Sequence, residues 1–428
     1  MSSATRITTV IGRRVWDSRG RPTVEAEVRL AGGAVGRAIA PAGASTGSGE
    51  AVDKRDGGAA FGGHDVTQAV AAVNGPIAKA LSGHDGTDQA GIDATLIGLD
   101  GTPNKAGLGG NATIAVSMAA AHAAAAAAGQ PLWAHLAKGA KTTLPLPEIQ
   151  IFGGGAHAAR RVDLQDYMVI ATGADTFDQA LDWTAEVYRA AGKLLAEAGL
   201  LQGVADEGGF WPAFDGNEAA LSWLTRAIEA AGFRPGEQVG ISLDIAASTF
   251  GQNGTYKLVT EGRTLDTGGM IDWLGAWMGR YPIVAIEDPL AEDDAAGFAA
   301  FTARYGAKAA IVADDFVVTN AERIAAAGKQ RAGNTALIKP NQAGTLSETL
   351  AALKQARGQD WCSIVSARSG ETEDVTIVHL ATGWNAPMLK VGSFARSERM
   401  AKWNEGLRVG EALGSLALPP KSAFPWNA

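Results

Sequence analysis

The chain has 428 residues, 46% hydrophobic and only 19% charged, with a formal net charge of -8. That supply of apolar side chains suffices for a large core in two domains, and the acidic balance, with no Lys/Arg run, argues against nucleic-acid binding. Cys362 is the single cysteine, which excludes disulfide frameworks and cysteine-based zinc sites and suits a reducing compartment.

The first ten residues, MSSATRITTV, lack the charged-then-apolar pattern of a secretory signal. The longest apolar stretch, 119–128, is alanine-rich, broken by His122 and too short to cross a bilayer. The expectation is a cytoplasmic protein with no membrane contact. Residues 23–30 alternate, with Val24, Ala26, Val28 and Leu30 on one face and Thr23, Glu25, Glu27 and Arg29 on the other. This is the period of a half-buried antiparallel strand. The glycine pair at 32–33 supplies a turn, and residues 35–39 return as its hairpin partner. A loop of small residues, PAGASTGSGE, spans 41–50. Asn111 is placed to cap a long alanine-rich helix that Gly129 ends. Residues 1–140 therefore read as an α+β domain.

From residue 144 the pattern changes. Short apolar runs end in polar or charged residues at 241–244, 283–287, 310–314, 336–339, 363–366 and 388–390, each followed by a helical stretch. After a longer first step their ends recur about every 25 residues, the length of one strand-loop-helix-loop unit. Continuous apolar runs suit strands covered on both faces, and right-handed crossovers between parallel strands predict a β/α (TIM-like) barrel over 141–428. An open doubly wound sheet is the alternative, but no glycine-rich dinucleotide fingerprint favours it.

A barrel places its chemistry at the C-terminal ends of its strands. Asp244, Glu287 and Asp314 end three successive runs, and carboxylates converging on one mouth repel unless a cation lies among them. Oxygen-only ligands select a hard ion such as Mg²⁺. Lys339 and Lys390 stand at later strand ends, as ion-pair partners or, for Lys339, as a base. Asp206 and Glu207 lie in the glycine-bracketed loop GVADEGGF, either as a functional acid or as an ordinary solvated turn. Metal carboxylates, a lysine and a separate acid are what proton removal beside a carboxylate requires.

These motifs resemble the enolase family along essentially the whole chain. The matching segments are DSRGRPTVE (17–25), GASTG (43–47), GGNATIAVSMA (109–119), DEGGF (206–210), LDIAAS (243–248), IEDPL (286–290), ADDFVVTN (313–320), IKPNQAGTLSET (338–349), SGETED (369–374) and RSERMAKWNEGLR (396–408). The resemblance implies an N-terminal capping domain whose loop closes over an enolase-type barrel, and dehydration of 2-phosphoglycerate, a small phosphorylated carboxylate, to phosphoenolpyruvate. A lysine base working with one or two Mg²⁺ ions comes with that superfamily's established pattern. Lys339 then matches the base and Glu207 the acid. Asp244, Glu287 and Asp314 match the ligands of the first magnesium, and Ser45 a ligand of a second that arrives with substrate. Arg368 and Ser369 look like phosphate contacts; Lys390, His157, Gln165 and Asp166 look like the remaining substrate contacts. A homodimer is implied as well.

Three departures qualify the match. The family's Ser-His-Arg-Ser-Gly-Glu is Ser366-Ala367-Arg368-Ser369-Gly370-Glu371 here, so a histidine is an alanine. Its Gln-Glu is Gln165-Asp166, a carboxylate shorter by one methylene. Around His157, Arg160 and Arg161 replace a neutral residue and a lysine. These changes leave two further readings: a specialised enolase-like enzyme of phosphonate metabolism, similar to a carboxyphosphonoenolpyruvate synthase, with an enlarged and more cationic pocket, and a non-catalytic homologue. Arg160 and Arg161 also have a plain reading as solvated loop residues.

Overall fold

The computed structural model describes residues 3–44 and 46–427. Near the N-terminus β1 (Ile7–Trp16), β2 (Pro22–Leu30) and β3 (Val35–Ile39) form an antiparallel sheet in that order. The alternation in β2 does what it predicts on one face, where Val24, Ala26 and Val28 are fully buried. The other face is covered too, which the pattern did not predict: Glu25 and Glu27 are 7% and 6% exposed. β2 is the central strand, and Arg13 of β1 reaches both carboxylates at 3.0 Å while Arg37 of β3 adds a 3.5 Å contact to Glu25. Neighbouring arginines thus replace water over the acids.

The alanine-rich helix α1 (Gly110–Ala127) lies on this sheet. It has no polar face because it is covered on both sides: it packs on β2 and β3 and also meets the barrel helices Pro340–Ala343 and Leu346–Arg357. Small side chains let the backbones approach closely, most of all at Gly36, where an added Cβ would lie 2.1 Å from the Ala119 carbonyl oxygen. Gly129, at φ 63, follows the helix end as expected. Its start differs from expectation, since Gly109 precedes the first turn and Asn111 lies inside it. The Asn111 amide instead donates to Asp53 Oδ1 at 3.0 Å and to the Lys54 carbonyl at 3.1 Å, tying that loop to the helix. Two adjacent glycines take the turn because a Cβ at Gly110 would meet Ala51 at 2.7 Å.

Eight strands close a barrel: β4 (Leu146–Gly153), β5 (Asp166–Ile170), β6 (Gly240–Asp244), β7 (Ile283–Glu287), β8 (Ala310–Ala313), β9 (Thr335–Ile338), β10 (Cys362–Ser366) and β11 (Met388–Gly392). The six predicted runs supply β6 to β11, all parallel to their neighbours among themselves, and β11 closes on β4 in parallel. β5 is the exception, antiparallel to both β4 and β6. The β4–β5 link holds one short turn, Gly155–His157, and no crossover helix, so the chain can return only in the opposite direction. That reversal brings the start of β5 to the mouth: Asp166 pairs in register with Gly153 on one side and Asp244 on the other. No helix among the described residues is long and apolar enough to cross a membrane.

The close seat of α1 on β3 makes Gly36→Ala a direct test. The added methyl has backbone, not a flexible side chain, in its way, and the expected cost is about 1–3 kcal/mol, as for other overpacked cores. A denaturation midpoint equal to that of the unaltered protein would show that helix and strand are not in such contact.

Candidate active site

The strand ends bring together most of the residues singled out by sequence. Asp244 and Glu287 end β6 and β7, Asp314 and Lys339 directly follow β8 and β9, and Lys390 lies within β11; all are buried. Three acids on adjacent strands face two amines. Lys390 Nζ donates to Asp244 Oδ2 at 3.1 Å and Glu287 Oε2 at 2.7 Å, and Lys339 Nζ donates to Asp314 Oδ2. Amides complete the set: Gln165 donates to Asp244 Oδ2 at 3.0 Å and Gln342 to Asp314 Oδ1 at 2.9 Å.

The electrostatics follow from burial and neighbours. Burial, and then the adjacent Asp244, push the Glu287 carboxyl well above its usual range, although Lys390 opposes them. Burial acts the same way on Asp244, but Lys390 and Lys339 together hold it below the usual value. Burial disfavours the Lys390 ammonium, yet Asp244 and Glu287 raise its proton affinity well above that of a free lysine. Lys339 is likewise raised, burial being outweighed chiefly by Asp314. Burying several carboxylates in one place is tolerable only with cations among them.

A strained turn sets the Asp314–Lys339 pair. Val318 and Thr319, both β-branched, have φ 44 and 51, a region such residues rarely occupy. They are held there: the Val318 N–H bonds the Asp314 carbonyl at 2.8 Å, and the Thr319 hydroxyl donates to Gln342 at 2.6 Å while accepting from the Lys339 N–H at 2.9 Å.

A second group lies on the opposite strands. Asp166 Oδ1 accepts from His157 Nδ1 at 3.0 Å, and His157 Nε2 is 3.9 Å from Glu207 Oε1. Burial disfavours the imidazolium, but Asp166 and Glu207 raise its pKa to about 9. Burial raises Glu207 against the opposing charge of His157. The glycines of DEGGF serve close packing: Gly208 sits at φ 94 against the Ala395 carbonyl, and a Cβ on Gly209 would lie 2.6 Å from Gln150 Oε1. Asp206, its neighbour in sequence, is only half-buried.

A narrow cavity of about 20 Å³ joins the two groups. His157, Gln165, Asp166, Glu207, Asp244, Lys339, Arg368, Ser369 and Lys390 line it, whereas Glu287 and Asp314, paired with Lys390 and Lys339, do not. Ala367 lines it too, presenting a methyl group. Arg160 and Arg161 do not reach it: both are exposed, and Arg161 lies over the Trp211 ring at 5.3 Å. Ser45 lies outside the described residues.

Sequence reasoning missed several residues here. Glu50, from the small-residue loop, accepts from Arg368 at 2.9 Å, and Arg19 donates to the Ser369 hydroxyl at 3.2 Å and to the Ala42 carbonyl at 2.9 Å. Both come from the N-terminal region, so its loops form part of the wall. Arg399, fully buried, donates to the Arg368 and Val391 carbonyls at 2.7 and 2.8 Å. Arg19 and Arg399 stand in the quoted segments DSRGRPTVE and RSERMAKWNEGLR, and an arginine fixed within such a segment was the available signal.

Two groups among the described residues bring ligand atoms within 4.8 Å of one another, His157–Asp166–Glu207 and Asp288–Asp314–Asp315. Asp288 is already engaged by the N–H groups of Asp314 and Asp315 at 2.9 and 2.8 Å. Asp244, Glu287 and Asp314 are not such a group: the first two meet Lys390 and the third meets Lys339, although their all-oxygen, buried donor set suits a hard cation.

Residues 7–136 match the family model for the enolase N-terminal domain, and residues 141–420 match that for the enolase C-terminal TIM barrel domain. With an eight-stranded barrel, acids at its strand ends and a lysine facing the same cavity, the chain belongs to the enolase family, an enolase-superfamily lyase.

Proposed function

We propose that the protein is a magnesium-dependent hydro-lyase that dehydrates 2-phosphoglycerate to phosphoenolpyruvate. The observation that carries this reading is that Lys339 and Glu207, the matching base and acid, line one cavity together with Asp244 and Lys390. Lys339 takes the proton at C2, and Glu207, whose proton affinity burial raises, gives one to the departing hydroxyl. Arg368 and Ser369 receive the phosphate, and Lys390, Gln165, His157 and Asp166 complete the substrate's surroundings. Asp244, Glu287 and Asp314 would hold one Mg²⁺, and Ser45 would help hold a second. When bound, magnesium supplies positive charge that satisfies these carboxylates, steadies the substrate carboxylate as charge builds on it and favours the free amine at Lys339.

The loop that bears Glu50 would close over the mouth on substrate binding and exclude water, with residues 1–140 as the capping domain and 141–428 as the barrel. Homodimerisation, which rests on the family resemblance, and a cytoplasmic location, which rests on the single cysteine, complete the reading. Ala367 favours a second reading, a specialised enolase-like enzyme with a larger substituent where the family places histidine, since its methyl leaves room and no hydrogen bond on the wall. The exposed positions of Arg160 and Arg161 give that reading no added charge in the pocket. A non-catalytic role fits poorly with so many ionisable groups kept buried at a cost.

Purified protein given 2-phosphoglycerate and Mg²⁺ is expected to form phosphoenolpyruvate, and chelation by EDTA to stop it. Lys339→Ala and Glu207→Gln are each expected to lower kcat by about 10²–10⁴-fold, the usual worth of a positioned base or acid. Either variant turning over like the unaltered enzyme would remove its assigned role. The two readings divide at position 367. Ala367→His is expected to raise 2-phosphoglycerate turnover by about 10²-fold, the scale of one positioned polar group. Full family-like rates without that change would instead dismiss the specialised enzyme.

A further inference from the structure

Gln150 takes no part in the reading above, yet it lies wholly buried beneath the His157–Glu207 group. Its side chain is used at both ends. Nε2 donates to Asp166 Oδ1, the oxygen that also accepts from His157 Nδ1 at 3.0 Å. Oε1 accepts from the N–H of Gly209 at 2.8 Å, two residues beyond Glu207. The amide therefore joins β4, the start of β5 and the turn that presents Glu207. The loop closes on itself, because the Asp206 N–H bonds the His157 carbonyl at 3.3 Å and His157 Nε2 faces Glu207 at 3.9 Å.

We propose that Gln150 is a positioning residue that locks the Glu207 turn to the Asp166–His157 pair and so fixes where the acid meets substrate. The inference rests on the reading of Glu207 as the acid. A carboxylate can only accept, so Nδ1 of His157 must carry the hydrogen of their bond, which leaves Nε2 directed at Glu207. Asp166 Oδ1 alone receives both donors, and Oδ2 has no partner among the described residues. Without the Gln150 amide the carboxylate is free to turn, and the imidazole loses its fixed plane. The same step orphans the Gly209 N–H. Asp166 thus acts through His157, although it borders the cavity. Its side chain, one methylene shorter than the family's glutamate, meets an amide long enough to span from it to the Gly209 N–H.

Gln150→Met keeps the length and removes both bonds. It is expected to fold, to lower kcat for phosphoenolpyruvate formation by about 10²-fold, as small misplacements of catalytic groups do, and to leave KM nearly unchanged. Gln150→Asn and Asp166→Glu move one methylene from the amide to the carboxylate. Each alone is expected to lower kcat, and the double variant to keep about tenfold more activity than the two losses multiplied together would leave, the sign of a coupled pair. A Gln150→Met enzyme with unaltered kcat, or losses that simply multiply in the double variant, would overturn the proposal. NMR of protein with isotope-labelled histidine tests it without turnover. The His157 Nδ1–H resonance, assigned by its loss in His157→Gln, is expected to be slow to exchange with solvent in the unaltered protein and lost to exchange in Gln150→Met. An unchanged resonance refutes the positioning role. Failure of the unaltered protein to act on 2-phosphoglycerate refutes the assigned reaction instead, and the NMR result then decides on Gln150 alone.

Discussion

Ionic groups crowded out of water at the barrel mouth impose the constraint from which the rest of the structure follows. Asp244, Glu287, Asp314, Lys339, Lys390 and Arg368 are all buried there. A lone buried ion costs several kcal/mol even after relaxation, so none of these groups is tolerable without an oppositely charged neighbour in good geometry. The pattern of pairs reflects this: one ammonium bridges two carboxylates, another faces the third, and the guanidinium of Arg368 is met by Glu50. A barrel suits the task because parallel strands deliver one side chain each to a common rim, at spacings fixed by backbone hydrogen bonds.

Glu50 gives the N-terminal region its part in that balance. Its carboxylate answers a barrel arginine and also accepts from the Gly47 N–H at 2.9 Å, so the small-residue loop is anchored by charge. Arg19 ties the same loop to Ser369, and Arg399 fixes the carbonyls behind Arg368 from the far side. The wall around Arg368 and Ser369 is therefore shared by the N-terminal region and the barrel, including the helix that bears Arg399. Where a loop is attached to the site by polar bonds, binding at the site and position of the loop are coupled.

Legibility of the sequence varied with how local each cause was. The rim acids and lysines stood out because an apolar run ending in a charge marks a buried strand emerging at a mouth, and β6 to β11 repeat that unit. β4 was hidden by its own polarity: Glu148 and Gln150 interrupt the apolar pattern, although both are buried and bonded to Ser242, Asp166 and Gly209. β5 was hidden because the two helices after it, Phe177–Glu197 and Asn217–Ala230, break the spacing, and its reversed direction has no sequence signal apart from the missing crossover. On β2 the alternation located the strand and its inner face correctly, but the arginines over Glu25 and Glu27 come from its neighbours.

By itself, then, the sequence determined the N-terminal hairpin, six of the eight barrel strands and the identity of the chemical groups at their ends, because strand period, turn residues and the alternation of apolar runs with terminal charges act over a few neighbouring residues. Family resemblance could be read at the same level, since ordered short segments are local too. Only the tertiary structure decided which carboxylate meets which amine, that Arg160 and Arg161 stay in solvent while Ala367 borders the cavity, and that Gln150 joins His157 to the Glu207 turn. Those outcomes depend on side chains far apart in the chain meeting in a medium of low polarity, where a pairing is fixed by the cost of every alternative.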